Sequence, residues 1–423
     1  MSVGRYQTPG VYVEEVPSGP RPIQAVGTST MALVGQAPDA DANLNTPVAI
    51  TSWSRFLREY APEGTSSTPL STAVYGFFQN GGRRCYIVNT GTAESIAGAG
   101  RERGGLAALE YIDDVSIVAA PGRTDAGSYD ALLEHCEQMR DRVAVLDAPQ
   151  DVDNLDRLTE VATATAAAPS TPDESGEGEG EAESRPAGGR SGTERPSGLR
   201  PRPSDYGYGA FYFPWIRVRD PLSNELVYVP PSGHVGGVWA RTDGTRGVHK
   251  APANEILRGA LDVAYRLTDV EQGELNRNGV NCIRLFSRLG IRIWGARTNA
   301  DPSSEWRYLN VRRLVCMISE SIEESTQWIV FEPNDYMLWK SIRRDVTAFL
   351  TRVWRDGALF GRTPEEAFFV KCDEETNPPE SIDAGMVTAV IGIAPVKPAE
   401  FVVFRITQHA AGSDFEVVGA NRG

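Results

Sequence analysis

Residues 115–147 read VSIVAAPGRTDAGSYDALLEHCEQMRDRVAVLD and carry the clearest fold-class signal in the chain. Residues 115–120 and 143–146 are continuous apolar runs, and residues 129–142 between them have a helical pattern. Continuous apolar strands are typical of sheets covered on both faces, and strands joined through a helix pair in parallel. This stretch therefore predicts a strand–helix–strand unit within an α/β layer.

The same alternation continues toward the N-terminus. Apolar runs at 30–35 and 84–89 alternate with helical patterns at 52–60 and 70–79. Several such units in succession predict one largely parallel sheet with helices packed on it.

Three further elements are predicted on the C-terminal side. Residues 210–218 predict one strand, and residues 253–267 predict a helix with Asn254 as its N-cap. Residues 283–286 and 291–295 predict a β-hairpin. The predicted fold class is α/β, or α+β when the whole chain is considered.

Length and charge limit the possible functions. The 423 residues are too many for one ordinary domain and predict two or three. The net charge of −14 and the pI of about 5.0 argue against a nucleic-acid partner, because phosphates repel an acidic surface.

The cysteines are widely spaced and include no Cys-x-x-Cys pair, which argues against a disulfide framework and a zinc site. They are predicted to be buried thiols in a reducing compartment. The first residues lack the apolar segment of a signal peptide, and no apolar run reaches about 18 residues. We therefore expect a cytoplasmic protein without direct membrane insertion. The five cysteines are Cys85, Cys136, Cys282, Cys316 and Cys372.

Enzyme motifs were tested because α/β layers often carry active sites. Residues 244–250 (GTRGVHK) lack the spacing and the Ser or Thr of a phosphate-binding P-loop, and no G-x-S-x-G motif occurs. The four histidines, His135, His234, His249 and His409, have no metal-ligand spacing. We expect no catalytic residue, no cofactor and no metal, and an α/β enzyme is the less favoured alternative.

Residues 167–203 differ in composition from the rest of the chain. Residues 173–184 read DESGEGEGEAES, and a stretch rich in Pro, Gly and Arg follows. Such a tract can bury too little apolar surface to offset its ordering entropy. It predicts a flexible insert on the protein surface.

Residues 336–355 predict an amphipathic helix whose apolar side chains share one face. Five basic residues lie toward the other face, against the acidic Asp345 and Asp356 nearby. The pattern fits either an ordinary solvated face or a docking strip for an acidic partner. The five basic residues are Lys340, Arg343, Arg344, Arg352 and Arg355.

Short β-prone runs lie near both ends of the chain, at 11–16 and 415–418. Neither run has an obvious partner strand nearby, and so short a strand needs a sheet elsewhere to join.

Several segments resemble, in order and in combination, the contractile tail-sheath family, especially the sheaths of extracellular and cytoplasmic contractile injection systems. The resemblance covers nearly the whole chain outside residues 167–203. The segments are TPGVYVEEVPSGPRPI (8–23), VGTSTMALVGQAP (26–38), GGRRCYIVN (81–89), VPPSGHVGGVWARTDGTRGVHKAPAN (229–254), GIRIWGARTN (290–299), NVRRLVCMISESIEESTQWIVFEPND (310–335), WRDGALFG (354–361) and PAEFVVFRITQ (398–408).

The resemblance implies an inner, tube-facing domain built from N- and C-terminal segments, with an outer α/β domain inserted between them. Residues 1–25 would form an N-terminal arm and strand, 26–300 the outer domain, 301–408 the inner C-terminal domain and 409–423 a C-terminal arm. The arms would donate strands to neighbouring subunits. The donation candidates are Val11, Tyr12, Val13, Glu14, Glu15 and Val16, with Phe415, Glu416, Val417 and Val418.

The resemblance also implies a function. Subunits would polymerise helically as stacked rings around an inner tube and contract to drive the tube through a target envelope. The energy would be stored in a metastable extended lattice. Implied partners are further copies of the chain, the inner tube protein, and baseplate and terminal cap proteins. Assembly would be cytoplasmic, with release as part of an extracellular particle. Another tail or baseplate component is the alternative.

Overall fold

The computed structural model describes residues 22–98, 103–163 and 198–401. Within these ranges the strands are β1 (Met31–Gly35), β2 (Val48–Ile50), β3 (Cys85–Asn89), β4 (Ile117–Ala119), β5 (Val143–Asp147), β6 (Gly209–Phe213), β7 (Ile216–Arg219), β8 (Leu226–Val229), β9 (Glu255–Ile256), β10 (Asp262–Val263), β11 (Val280–Phe286), β12 (Gly290–Trp294), β13 (Phe368–Lys371) and β14 (Val390–Ile393). The α-helices are α1 (Trp53–Tyr60), α2 (Pro69–Gln79), α3 (Ala126–Met139), α4 (Ser232–Arg246), α5 (Asp269–Arg277), α6 (Leu309–Thr326), α7 (Tyr336–Arg355), α8 (Pro364–Ala367) and α9 (Pro379–Asp383).

A nine-stranded sheet forms the centre of the larger core, in the order β2-β3-β1-β4-β5-β6-β11-β12-β9. All neighbouring strands from β3 to β11 pair in parallel, and β2, β12 and β9 add antiparallel pairs at the edges. Strands β1, β4, β5 and β6 are buried throughout, as expected for a sheet covered on both faces. The predicted α/β class, the parallel sheet and the hairpin of β11 and β12 are confirmed.

Local sequence determines where the helices of this layer begin. Thr68 caps α2 in a reciprocal capping box with Ser71, and Pro69 occupies the first helical turn. Asp125 caps α3 by accepting a 2.8 Å hydrogen bond from the amide of Ser128.

The prediction of a single strand at 210–218 is wrong. Strand β6 belongs to the nine-stranded sheet, whereas β7 belongs to a separate three-stranded sheet in the order β10-β7-β8. Pro214 lies between them and has no amide hydrogen with which to continue a ladder.

The predicted helix at 253–267 is also wrong. Asn254 has a left-handed φ of 58° and is not an N-cap. The segment instead contributes the short strand β9 to the large sheet and β10 to the small one. Cross-strand pairing overrides the weak helical preference of this stretch.

Helix α4 lies just before that segment and was not predicted. Its sequence, SGHVGGVWARTDGTR, contains glycines that lower helix propensity. Those glycines allow α4 to approach α2 closely. A Cβ atom at Gly233 would lie 2.3 Å from the carbonyl oxygen of Ala73, and one at Gly237 would lie 2.5 Å from that of Phe77.

A second, smaller core lies in the C-terminal third. It packs α6 and α7 against the two-stranded sheet of β13 and β14 and includes Leu314, Trp339 and Phe349. Ile23, from the beginning of the described chain, is buried in the same core. The second core is therefore built from segments far apart in sequence.

The predicted insert at 167–203 overlaps the described residues only at 198–203. These six residues belong to the fold, because Arg200 donates to the carbonyl oxygen of Asn278 (2.8 Å) and Arg202 pairs with Glu137 (2.8 Å). Residues 198–203 therefore contact the fold, residues 167–197 lie outside the described ranges, and the flexibility of the insert stays a prediction.

Candidate functional site

The segment before β1 lies across the C-terminal helices. The amides of Gln24 and Val26 donate to the hydroxyls of Ser325 (3.2 Å) and Ser321 (3.0 Å) on α6. The guanidinium of Arg352 on α7 donates to the carbonyl oxygen of Ile23. The start of the described chain is thus attached to both helices of the second core.

A buried ion pair connects the two cores. Arg313 on α6 donates to both carboxylate oxygens of Asp243 on α4, at 3.0 and 2.6 Å. The two side chains are only 3% and 4% exposed, and the guanidinium also lies 4.8 Å from the ring centre of Trp239. Thr28 completes the site, since its hydroxyl donates to Asp243 and its carbonyl accepts from Arg313. A buried charge with all these partners holds α6 in one position on the α/β layer.

The other end of the same face of α6 carries carboxyl groups. Glu320 and Asp141 line a small cavity between the cores together with Cys316 and Met317. Burial first, and then the charges of Asp141, Glu324 and Asp113, raise the pKa of Glu320 to about 8, although Arg142 acts in the opposite direction. One end of the junction is therefore attractive, and the other becomes repulsive when Glu320 ionises.

The basic residues predicted on α7 occupy two kinds of position. Arg343 and Arg352 lie on the flanks, where Arg343 donates to the carbonyl oxygen of Cys372 (3.4 Å) and Arg352 to Ile23. Arg352 is nevertheless exposed, as are Lys340, Arg344 and Arg355, whereas Arg343 is half-buried. Arg344 also pairs with Asp345 (2.8 Å).

Helical geometry places the exposed basic residues on one side of α7. At about 100° per residue, positions 337, 344, 348 and 355 point in nearly the same direction, with 340 and 352 about 60° to either side. Arg352 differs from the others because its guanidinium donates to the carbonyl oxygen of Ile23. Lys340 and Arg355 are about 22 Å apart along the axis. We call Lys340, Arg344 and Arg355 the basic line. The sequence predicted the set of five, but only tertiary contacts separate the basic line from its flanks.

The two-stranded sheet of β13 and β14 is an exposed feature of the second core. A pair of strands without further neighbours is marginally stable in water. Phe369 on β13 and the nearby Phe360 are exposed. The candidate donor strands at 11–16 and 415–418 lie outside the described ranges.

The position where α/β enzymes place catalytic groups is closed in this chain. Asp147 ends β5 and is 2% exposed. Its carboxylate accepts from the amide (2.8 Å) and hydroxyl (2.6 Å) of Ser232 and from the amide of Gly122 (3.1 Å). Burial raises the pKa of Asp147 to about 6. The carboxylate joins the start of α4 to the sheet and has no access to a substrate.

The other titratable groups considered from sequence are also enclosed. All five cysteines are buried. Burial lowers the pKa of both His135 and His234 to about 4. Within the described ranges, no three His, Cys, Asp or Glu side chains are grouped as metal ligands, and no helix is long and apolar enough to cross a membrane.

Sequence reasoning missed the Arg313–Asp243 pair. A signal for it exists, since Arg312 and Arg313 interrupt an otherwise apolar helical stretch. Arg312 lies 4.6 and 4.5 Å from the ring centres of Tyr208 and Trp306. Two consecutive arginines within a buried helix indicate an interface with charged or aromatic groups.

Known protein families match this chain in two consecutive parts. Residues 97–299 match the phage tail sheath protein central domain, and residues 301–409 match the phage tail sheath C-terminal domain. The tail sheath protein of Vibrio phage KVP40 is 27% identical over 204 residues, which are 47% of this chain and 30% of that protein. The matched part therefore spans about a third of the length of such phage relatives.

Solved structures match over a greater length. A chain from the anti-feeding prophage baseplate is 30% identical, with a TM-score of 0.70, covering 96% of this chain and 100% of that one. The PVC sheath complex of an extracellular contractile injection system, in its contracted state, is 28% identical with a TM-score of 0.73, covering 96% and 98%. The chain belongs to the phage tail sheath family.

Proposed function

We propose that this chain is the structural sheath subunit of a contractile injection system. It polymerises helically around an inner tube and contracts to drive the tube through a target envelope. The observation that carries the proposal is the match over 96% of the chain to the sheath of such a system. The chain works by rearrangement, not by catalysis, and the closed environment of Asp147 supports this.

Contraction draws its free energy from new contacts between subunits. An extended lattice with less buried surface is metastable relative to a more compact one, so this chain needs no nucleotide. An outer domain at 26–300 and an inner domain at 301–408 would move as units. The two family matches, which meet near residue 300, support this division.

The basic line of α7 is the proposed contact with an acidic inner tube. Lys340 and Arg355 have no ion-pair partner among the described residues, and all three side chains are exposed. Arg343 and Arg352 support this surface from its flanks. Exposed ion pairs contribute about 0–1 kcal/mol each, which is weak enough for the tube to slide free.

Strand donation is the proposed connection between subunits. Residues 11–16 and 415–418 would add to sheets of neighbouring copies, and the sheet of β13 and β14, which has only two strands among the described residues, is a suitable acceptor. Backbone hydrogen bonds of this kind keep the lattice connected while subunits rotate. Baseplate and terminal cap proteins would bind the ends of the sheath. Assembly in the cytoplasm and later release in an extracellular particle complete the proposal.

Electron microscopy of the purified chain tests the function directly. We expect long hollow helical tubes, whereas a baseplate component would form closed rings or small complexes. Deletion of residues 1–20 should leave a soluble, folded subunit that does not polymerise. Normal tubes from this variant would contradict strand donation by the N-terminal arm.

Charge reversal tests the tube contact. Lys340→Glu combined with Arg344→Glu should weaken binding to assembled inner tubes, most strongly at low salt, where screening is least. Arg266→Glu, on an exposed arginine of the α/β layer, is the matched control. Equal tube binding by both variants would exclude the basic line as the contact.

A further inference from the structure

We infer that the turn between α6 and α7 is an apolar anchor of the tube contact, seated in an apolar recess of the inner tube at the end of the basic line. This inference rests on the proposed function. It adds an apolar contact to the charged contact proposed for the same surface.

The anchor consists of large apolar side chains that are exposed together. Phe331 is fully exposed and Met337 is 65% exposed, with Val330 and Tyr336 beside them in sequence. Met386 joins them, because the side-chain amide Nδ2 of Asn334 donates to the carbonyl oxygen of Met386 at 2.9 Å. We call Val330, Phe331, Tyr336, Met337 and Met386 the apolar tip.

The turn that carries the apolar tip is firmly held. The Trp339 indole donates to the Asn334 side chain at 2.8 Å, and Asp335 caps α7 by accepting from the amide of Leu338 at 2.9 Å. Phe331 nevertheless has a φ of 69°, in the left-handed region that bulky residues rarely adopt. A strained and fully exposed aromatic on a rigid turn is typical of a preorganised binding residue.

Continuity with the basic line identifies the occupant. Met337 points in the same direction as Arg344 and Arg355, so one flat partner surface meets the apolar tip and the basic line together. A second copy docked isologously through this same face would oppose Lys340 and Arg344 with identical cations, so only a different face of a second copy could compete with the tube. The exposed Phe331 and Met337 call for an apolar recess in the partner. Glu332 and Asp335 also lie at the tip and would repel acidic groups, so the partner's carboxylates should lie farther along, opposite the basic line.

The two kinds of contact respond differently to salt. Ion pairs at an exposed surface weaken as ionic strength rises, whereas apolar burial does not. The experiment measures binding of the full-length chain to inner tubes assembled from the tube protein of the same particle, at about 50 mM and 500 mM NaCl.

Phe331→Ser combined with Met337→Ser should lower affinity at least about tenfold at both salt concentrations. Lys340→Glu combined with Arg344→Glu should lower it mainly at the lower one. Leu261→Ser, which removes an exposed leucine from the α/β layer, should leave binding unchanged. Thermal melting checks that each variant is folded, which is expected because the replaced side chains are exposed.

The outcomes separate this inference from the proposed function. Unchanged binding by the serine variant, with weakened binding by the charge reversal, overturns the apolar anchor and leaves the basic contact standing. Loss of sheath polymerisation with normal tube binding assigns the apolar tip to a second copy and also overturns the inference. Unchanged tube binding by the charge-reversal variant would contradict the basic contact, and with it the surface on which this inference rests.

Discussion

The two cores of this chain differ in how they are completed. The α/β core is built on a nine-stranded sheet covered on both faces, and of the C-terminal helices α6 contributes Leu309 and Cys316 to it. The second core depends on Ile23 from the other end of the described chain and retains a two-stranded sheet and an exposed apolar tip. Exposed apolar side chains and strand edges are features at which partners bind. We therefore propose assembly contacts on the smaller core, where Phe331 and Phe360 are more exposed than any described aromatic of the α/β layer.

The junction between the cores also has two unlike ends. Arg313 and Asp243 form a fully partnered buried ion pair at one end. At the other end, Glu320 lines a small cavity with Asp141, whose carboxylate is paired with Arg142 (2.6 Å). The relative position of the cores thus depends on a strong attraction at one end and, at the other, on the burial of Glu320 and a partly compensated repulsion that varies with pH.

The largest expected effect comes from breaking the attractive end. Asp243→Ala leaves Arg313 buried without its counter-charge and should destabilise the protein by about 3–5 kcal/mol. Chemical denaturation, followed by tryptophan fluorescence, measures the loss.

Asp269→Ala is the matched control, because Asp269 also pairs with an arginine but is 90% exposed. Its cost should be about 0–1 kcal/mol. Equal effects of the two substitutions would mean that the Arg313–Asp243 pair does not hold the cores together.

An intermediate effect is expected at Ile23, which packs into the second core from the other end of the described chain. Ile23→Ala removes a buried side chain and should cost about 2–4 kcal/mol. The loss should be confined to α6 and α7, since the α/β core does not contain Ile23. Peptide-resolved hydrogen exchange would show which helices lose amide protection.

Gln24→Ala provides the comparison, because Gln24 is exposed and its contact to Ser325 uses only the backbone amide. Protection should be unchanged in that variant. Faster exchange throughout the nine-stranded sheet of Ile23→Ala would show that the two cores unfold as one unit.

The smallest effect is expected at the repulsive end. The pKa of Glu320 in the folded protein, about 8, lies above its ordinary value of 4.5. The folded state therefore binds this proton more tightly, so stability is complete below pH 4.5 and falls as pH rises toward 8. Glu320→Gln mimics the protonated form and should match the native chain at pH 4 and exceed its stability by about 1 kcal/mol at pH 8.

Thermal melting from pH 4 to pH 9 tests this difference. Glu323→Gln, at an exposed position of the same helix, should leave the pH profile unchanged. A constant offset between Glu320→Gln and the native chain across this range would contradict a shifted pKa.

Elements that follow from local apolar periodicity were predicted correctly, whereas elements that depend on contacts distant in the sequence were not. The parallel strands and α7 were predicted because apolar periodicity over several residues reports burial directly. The helix predicted at 253–267 failed because its residues pair with strands β12 and β7, which lie elsewhere in the sequence. Helix α4 was missed because its glycines are explained only by the approach of α2.

The candidate site shows the same difference between local pattern and long-range contacts. Periodicity alone placed five basic residues on α7, since the spacing of side chains around a helix is a local property. Only tertiary contacts assign Arg343 and Arg352 to carbonyl groups, whereas Lys340 and Arg355 have no ion-pair partner among the described residues. The Arg313–Asp243 pair joins residues 70 positions apart, so the consecutive arginines of α6 indicate a charged or aromatic interface but not the partner residue. Local sequence encodes which faces are apolar or charged, whereas long-range packing selects which charges are paired and which remain available for a partner.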